Sequence, residues 1–270
     1  MTLVWQPGYA GLDDPDAAAY ITNVESADLA AGQSGGLEDE VKLAIHDFVK
    51  DCKNDGIWPA LKASCILAGA KTLAGALVPL VGTTPINTGF VDADYNRETG
   101  LKGATDTAKY LNTNRNNNAD PQNNFHLSVF VSEAATSTST NYPTYIGGGT
   151  SNIGSSVIGR QNNNGTLELR SHSNATSSPA DIGASTGLIA HSRSAAASFT
   201  YRASGASASV NQTSQSPRNV LIYLFSDIEA LSPTRSNARL AFYSIGESLD
   251  LTALDTRVSA LITAIGAAIP

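Results

Sequence analysis

The sequence predicts a mainly β chain: an antiparallel jelly-roll β-sandwich, preceded by a helical pair and followed by a single helix. Three observations carry this expectation. From Thr83 onward, runs of about four to eight residues alternate with Gly/Asn/Ser/Thr clusters, the rhythm of successive strands and loops. At both ends the apolar residues switch to helical spacing. Charged residues make up only 15% of the chain, and Ser, Thr and Asn crowd its second half, which suits a sandwich with polar loops.

Taken in order, Asp14-Pro15 reads as a helix N-cap and first helical residue, opening a short Ala-rich helix with Tyr20, Ile21 and Val24. The run Gly32-Gln33-Ser34-Gly35-Gly36 breaks it. An amphipathic helix follows, with Leu37, Val41, Ala44, Ile45, Phe48, Val49 and Cys52 along one face and Gly56 as its stop. A second helix is expected over Trp58–Ala68, with Pro59 in its first turn, completing the helical pair.

Strands are expected at Gly89–Val91, Lys109–Asn112, Phe125–Ser132, Thr144–Gly147, Ser156–Gly159, Thr166–Ser171, Gly187–His191, Ser198–Arg202, Ala208–Asn211, Asn219–Ser226 and Arg239–Ile245. After Leu249, the residues Leu251, Leu254, Val258, Leu261, Ile265 and Ala268 step by three and four, the a/d pattern of an oligomerising or groove-filling helix. The chain thus divides into a helical region (1–82), a sandwich (83–249) and a C-terminal helix (250–270), which packs on the sandwich or in an oligomer.

Composition excludes several functions. A net charge of −7 and the absence of any basic run argue against nucleic acid as a partner. The most apolar stretch, Ile66 to Val81, holds Lys71, glycines and Pro79 and falls short of a membrane span, so no membrane partner is expected. The four histidines are scattered and no C-x-x-C or H-E-x-x-H occurs, so no metal and no cofactor are expected. Cys52 and Cys65 read as two buried thiols of a chain made in a reducing cytoplasm, with a bridge between them left open. The start, Met1 to Gly8, has neither a basic n-region nor an apolar h-region of a signal peptide.

A set of segments carries a resemblance. The pattern of Asp55-Gly56-Ile57-Trp58 between helices continues with Gly100-Leu101-Lys102-Gly103, Lys109-Tyr110-Leu111-Asn112-Thr113 and Asn124-Phe125-His126. It closes with the run from Arg239 to Leu249. Together these resemble a module of tailed-bacteriophage virion proteins, similar to the concanavalin A-like (laminin-G-like) jelly roll, over roughly Leu37 to Pro270. The resemblance implies a structural protein displayed on the particle, a tail- or head-associated fibre or appendage that contacts host surface glycans. It implies localisation in the virion, other virion proteins as partners, and a homotrimer held by Leu251, Leu254, Val258, Leu261 and Ile265. In that picture the N-terminal helices are the attachment region. The alternatives are a capsid decoration protein without receptor binding and a glycan-degrading enzyme.

Tyr142, Tyr145 and Tyr201 supply stacking faces, and Asn162, Arg170 and Arg202 supply planar donors, so these six are the glycan-binding candidates. No catalytic residues are expected. Some concanavalin A-like hydrolases carry Glu-Ile-Asp-Ile-Glu on a strand, with alternate carboxylates facing the cleft. Here Asp227-Ile228-Glu229 is present, but Phe225 stands where the nucleophile would be, and acids in a turn before Ser232-Pro233 are the plainer reading. A serine-hydrolase elbow is not expected, and His172 and His191 read as exposed or sheet-face residues.

Overall fold

The computed structural model describes residues 12–136, 142–149, 153–160, 166–174, 186–227 and 234–269. Its elements in chain order begin with α1 (Pro15–Ala30) and α2 (Asp39–Asn54), then β1 (Leu61–Ile66), the single-turn α3 (Leu73–Ala76), β2 (Ile86–Thr88), β3 (Tyr95–Asn96) and β4 (Gly100–Lys102). They continue with β5 (Tyr110–Asn116), β6 (Phe125–Glu133), β7 (Thr144–Gly148), β8 (Ser155–Arg160), β9 (Leu167–Ser173) and β10 (Gly187–Arg193). The last are β11 (Ser198–Ala203), β12 (Ala206–Asn211), β13 (Leu221–Leu224), β14 (Arg239–Gly246) and α4 (Leu251–Ala268).

The strands form two antiparallel sheets, as the sequence predicts. One has eight strands in the order β12-β11-β10-β6-β14-β4-β3, with β1 also paired to β14; the other has six in the order β2-β5-β13-β7-β8-β9. Two cores result. Phe125, Leu127, Val129 and Val131 of β6 meet Leu167, Leu169, Ile222 and Leu224 between the sheets. On the opposite face of the eight-stranded sheet, Leu188, Ala190, Ala241 and Phe242 pack under the helices. A register shift between Leu240 and Phe242 lets β14 serve both cores, with Leu240 and Tyr243 turned between the sheets and Ala241 and Phe242 turned to the helices.

The helix ends follow local chemistry. Asp14 caps α1 by accepting from the N–H groups of Asp16 and Ala17, and Asp250 caps α4 in the same way through Thr252 and Ala253. Gly56 adopts φ +73°, and the Ile57 N–H returns to the Cys52 carbonyl at 3.0 Å, closing α2 as a left-handed C-terminal turn.

Three expectations are corrected. The helix expected over Trp58–Ala68 is one 3-10 turn, Trp58–Ala60, followed by strand β1, so the helical pair consists of α1 and α2. Its Leu/Lys/Ala composition favours helix, but β14 offers a full row of backbone partners from Leu61↔Gly246 to Ile66↔Phe242, and the long-range pairing prevails. The strand expected at Gly89–Val91 lies three residues earlier, at Ile86–Thr88.

The third correction concerns the terminal stripe. Leu251, Leu254, Val258, Leu261 and Ile265 are all buried within a single chain, at 0–4% exposure, in the core shared with α2 and the sheet. Phe48 of α2 stands edge-on to Phe242 at 5.7 Å, and Arg257 of α4 bonds Asp51 and Asp55 of α2 at 2.7–3.0 Å. The stripe is spent inside the protomer and is not free to face another copy. By length and mean hydropathy (1.2) alone, Leu251–Ala268 would suffice to cross a membrane; its apolar face instead packs in this layer.

Cys52 and Cys65 are free and buried in different cores. Burial pushes each thiol up to about 12.

Candidate functional site

The outer face of the six-stranded sheet, away from the helices, carries a cleft. It follows from strand alternation in β9, where Leu167 and Leu169 enter the inter-sheet core, so Glu168 and Arg170 point the other way. On β8, Ile158 points inward and Val157 outward, directly opposite Arg170. One row along, Thr144 faces Gly159, and Gly159 faces Glu168, so the middle position of that row has no side chain and the Pro143 backbone passes close over it. Tyr142, Asp227 and Thr234 complete the walls of a cleft of about 250 Å³.

Polar contacts hold this arrangement. The Arg170 guanidinium donates to Ser155 Oγ at 2.9 Å and reaches Glu168 Oε1 at 3.5 Å. The hydroxyls of Thr144 and Thr234 are 2.7 Å apart, and the Thr144 N–H donates to the Thr234 carbonyl, fastening the segment after residue 233 to β7. Asp227 is brought in by a turn at Phe225, which holds φ +67°, an unusual conformation for a bulky residue. Neighbours on every side hold Phe225 in place. Its N–H donates to the Tyr145 carbonyl, its carbonyl accepts from Ser236, and its buried ring meets Phe90 at 5.0 Å. Tyr142 is the exposed aromatic of the cleft, at 39%.

Of the six glycan-binding candidates, the structure brings together Tyr142 and Arg170. Tyr145 is fully buried between the sheets, where burial pushes its phenol up to about 12 and its oxygen accepts from the Ala135 N–H, so it offers no stacking face. Tyr201 lies on the other sheet and packs against the inter-sheet core. Arg202, beside it, turns to the helices and pairs with Asp255 of α4 at 2.6 Å. Asn162 lies outside the described residues, as does Glu229, the second acid of the Asp227-Ile228-Glu229 turn.

Residue-type reasoning passed over Thr144, Val157, Glu168 and Thr234. The readable signal was the Leu-Glu-Leu-Arg alternation of β9, which places an acid and a base on one face.

Of the exposed or sheet-face positions expected for the histidines, the exposed one is corrected. His172 and His191 lie on the strands β9 and β10 and are fully buried; His172 stacks on Phe125 at 4.1 Å, and His191 lies between Phe125 and Phe199 at 5.9 and 5.7 Å. Two stretches do carry G-x-S-x-G spacing, Gly32–Gly36 and Gly183–Gly187. The first follows a helix and the second leads into strand β10, so neither has the strand-to-helix turn of a nucleophile elbow. Ser185 of the second lies outside the described residues. Among the described residues no group of three or more His, Cys, Asp or Glu gathers as a metal site.

No protein-family model matches the chain, and no curated protein matches it. Solved structures do. The receptor binding domain of botulinum neurotoxin mosaic serotype C/D superposes with a TM-score of 0.50 at 13% identity, over 78% of this chain and 51% of that one. The botulinum neurotoxin serotype D binding domain gives 0.49 at 13%, over 74% and 51%. Trypanosoma rangeli sialidase gives 0.49 at 11%, over 77% and 33%. The chain therefore spans about half the length of the toxin domains it resembles, and what it shares with them is the β-sandwich fold.

Proposed function

We propose that this chain is a carbohydrate-binding β-sandwich, displayed on a tailed-phage particle, whose sugar site is the cleft on the outer face of the six-stranded sheet. The observation that carries the reading is the cleft lining: an exposed tyrosine ring beside two threonines, two carboxylates and an arginine. A sugar ring has an apolar C–H face and a rim of hydroxyls. Tyr142 offers the face for stacking, Glu168 and Asp227 accept from hydroxyls, and Arg170 donates. At about 250 Å³ the cleft falls below the ~300–1,000 Å³ of drug-sized pockets, so it suits one unit of a longer glycan. A binding role is in keeping with the receptor binding domain that shares the fold. The virion setting rests on the sequence resemblance over Leu37 to Pro270.

The test is titration of the chain with bacterial surface polysaccharides and their fragments. Tyr142→Ala should weaken binding about tenfold, one stacked aromatic contact being worth ~0.5–1.5 kcal/mol. Failure of the intact chain to bind any glycan overturns the reading. Immunogold labelling of purified particles tests the virion setting.

A second reading, glycan hydrolysis, has one observation in its favour: Glu168 and Asp227 line the same cleft, and glycosidases work with carboxylate pairs. Release of new reducing ends, lost in Asp227→Asn, would establish it in place of simple binding.

A further inference from the structure

Among the described residues a long sheet edge, β12, stands open along its whole length. The margin strands β2 and β3 have three and two residues. The outer side of β1 is occupied, since Ser64 bonds the Val81 carbonyl and accepts from Leu80. Strand β9 is engaged at its end by the segment before β13, where Gln215 donates to the His172 carbonyl at 2.6 Å, and Arg193 reaches the Ser171 carbonyl at 2.9 Å. Strand β12 has six residues in unbroken register with β11, from Ala203↔Ala206 to Ser198↔Asn211, and nothing pairs on its other side. Its sequence, Ala206-Ser207-Ala208-Ser209-Val210-Asn211, has no charge, no proline and no bulge, the devices that normally keep an edge strand from pairing.

The turn fixes which groups face out. Ser204 and Gly205 have φ +51° and +73°, the two-residue hairpin turn in which the flanking residues form a hydrogen-bonded pair. Alternation from Ala203/Ala206 turns the backbone groups of Ala206, Ala208 and Val210 to β11 and those of Ser207, Ser209 and Asn211 to the open edge.

We propose that β12 is a self-association edge, on which two copies pair β12 to β12 in antiparallel fashion about a twofold axis at Ser209. Ser209 then faces its own counterpart and Ser207 faces the counterpart of Asn211, so the three outward residues close on themselves in register. The occupant is a second copy for two reasons. No like charges meet in this pairing, although the chain carries −7 overall and repels copies elsewhere; the nearest ion pair, Arg202 with Asp255, is already satisfied. Five of the six β12 residues are exposed and the sixth, Val210, is half-buried, so the edge lacks the side-chain pockets that select a foreign strand. The α4 stripe, buried in its own protomer, does not compete for this role. The inference does not depend on the glycan reading.

Sedimentation velocity of the full chain over roughly 1–100 µM tests it. The intact chain should show a concentration-dependent monomer–dimer equilibrium. Ser209→Pro should be monomeric with unchanged circular dichroism and melting, because that N–H faces out of the hairpin. Ser209→Lys, which apposes like charges on the axis, should be monomeric too and serves if the proline variant does not fold. An intact chain that is monomeric throughout overturns the proposal, as does a dimer that survives both substitutions. A monomeric chain that binds a labelled (Thr-Val)3 peptide, with binding lost in Ser209→Pro, assigns the edge to a foreign strand and overturns self-pairing.

Discussion

The outer face of the eight-stranded sheet carries Leu188, Ala190, Ala241 and Phe242 beneath a layer of helices, whereas the outer face of the six-stranded sheet carries Thr144, Val157, Glu168 and Arg170 around a cleft. Both faces arise from the same period of two along their strands. They differ in what the alternate positions hold and in whether amphipathic helices are at hand to cover them. The covered face draws its stability from burial of its apolar side chains. The cleft face carries polar groups held in fixed positions by hydrogen bonds, most of them buried in its walls with Tyr142 exposed, which is what a binding cleft requires. Substitutions should therefore separate stability from binding according to the face they touch.

The largest effect is expected on the covered face. Leu254 is fully buried on the inner face of α4, against α2 and the sheet, and Leu254→Ala should cost about 2–5 kcal/mol, read as a lower urea midpoint. The sedimentation behaviour of the folded fraction should not change, because the stripe is internal; loss of a dimer in that variant would restore the stripe as an interface.

Acid should act next, from inside the sheets. Burial holds His126 down at about 4, with Nδ1–H donating to the Glu247 carbonyl and Nε2 accepting from Ser244. His191, enclosed by aromatic rings, is held well below its ordinary range by burial as well. A depressed folded-state pKa means that the unfolded chain takes up the proton first. The stabilising contribution is complete above the unfolded value near 6.5 and is lost as pH falls toward about 4, by about 3 kcal/mol for His126. Denaturation curves at pH 7 and 4.5 should show this, and His126→Gln should flatten the dependence. An unchanged slope in that variant would assign the acid sensitivity to other groups.

A smaller effect is expected at the helix cap. Asp250→Ala removes the acceptor for two N–H groups and should cost about 1 kcal/mol in thermal unfolding. The smallest belongs to the cleft, where Tyr142→Ala should change stability by less than about 0.5 kcal/mol, as is usual for an exposed side chain. A large loss of stability there would mean that the cleft face is structural and would erase the contrast between the faces.

Much of this was legible in the chain. Strands β5 to β14 all overlap the runs that alternation and turn residues mark out, because a half-buried strand writes its period into the sequence. The Asp14-Pro15 cap, the Gly56 stop and the apolar face of α2 were readable for the same reason: each is a contact among residues a few positions apart. What covers an apolar stripe is not local. The a/d spacing of α4 demanded a partner, and only the tertiary structure showed that α2 and the sheet supply it. Strand β1 was unreadable because its stabilisation comes from β14, about 180 positions away, against its own composition. The cleft was half readable. Tyr142 and Arg170 announced themselves by residue type, but Tyr145 lies three residues from Tyr142 and points into the core. Glu168, Asp227 and Thr234 join the site only because β7, β8 and β9 lie side by side and the chain turns sharply at Phe225. The sequence by itself determined the elements and their apolar faces, since those depend on periodicity and neighbours. Which face is covered, which edge is left open and which polar residues meet were decided by chain topology, since those depend on contacts between residues far apart in the sequence.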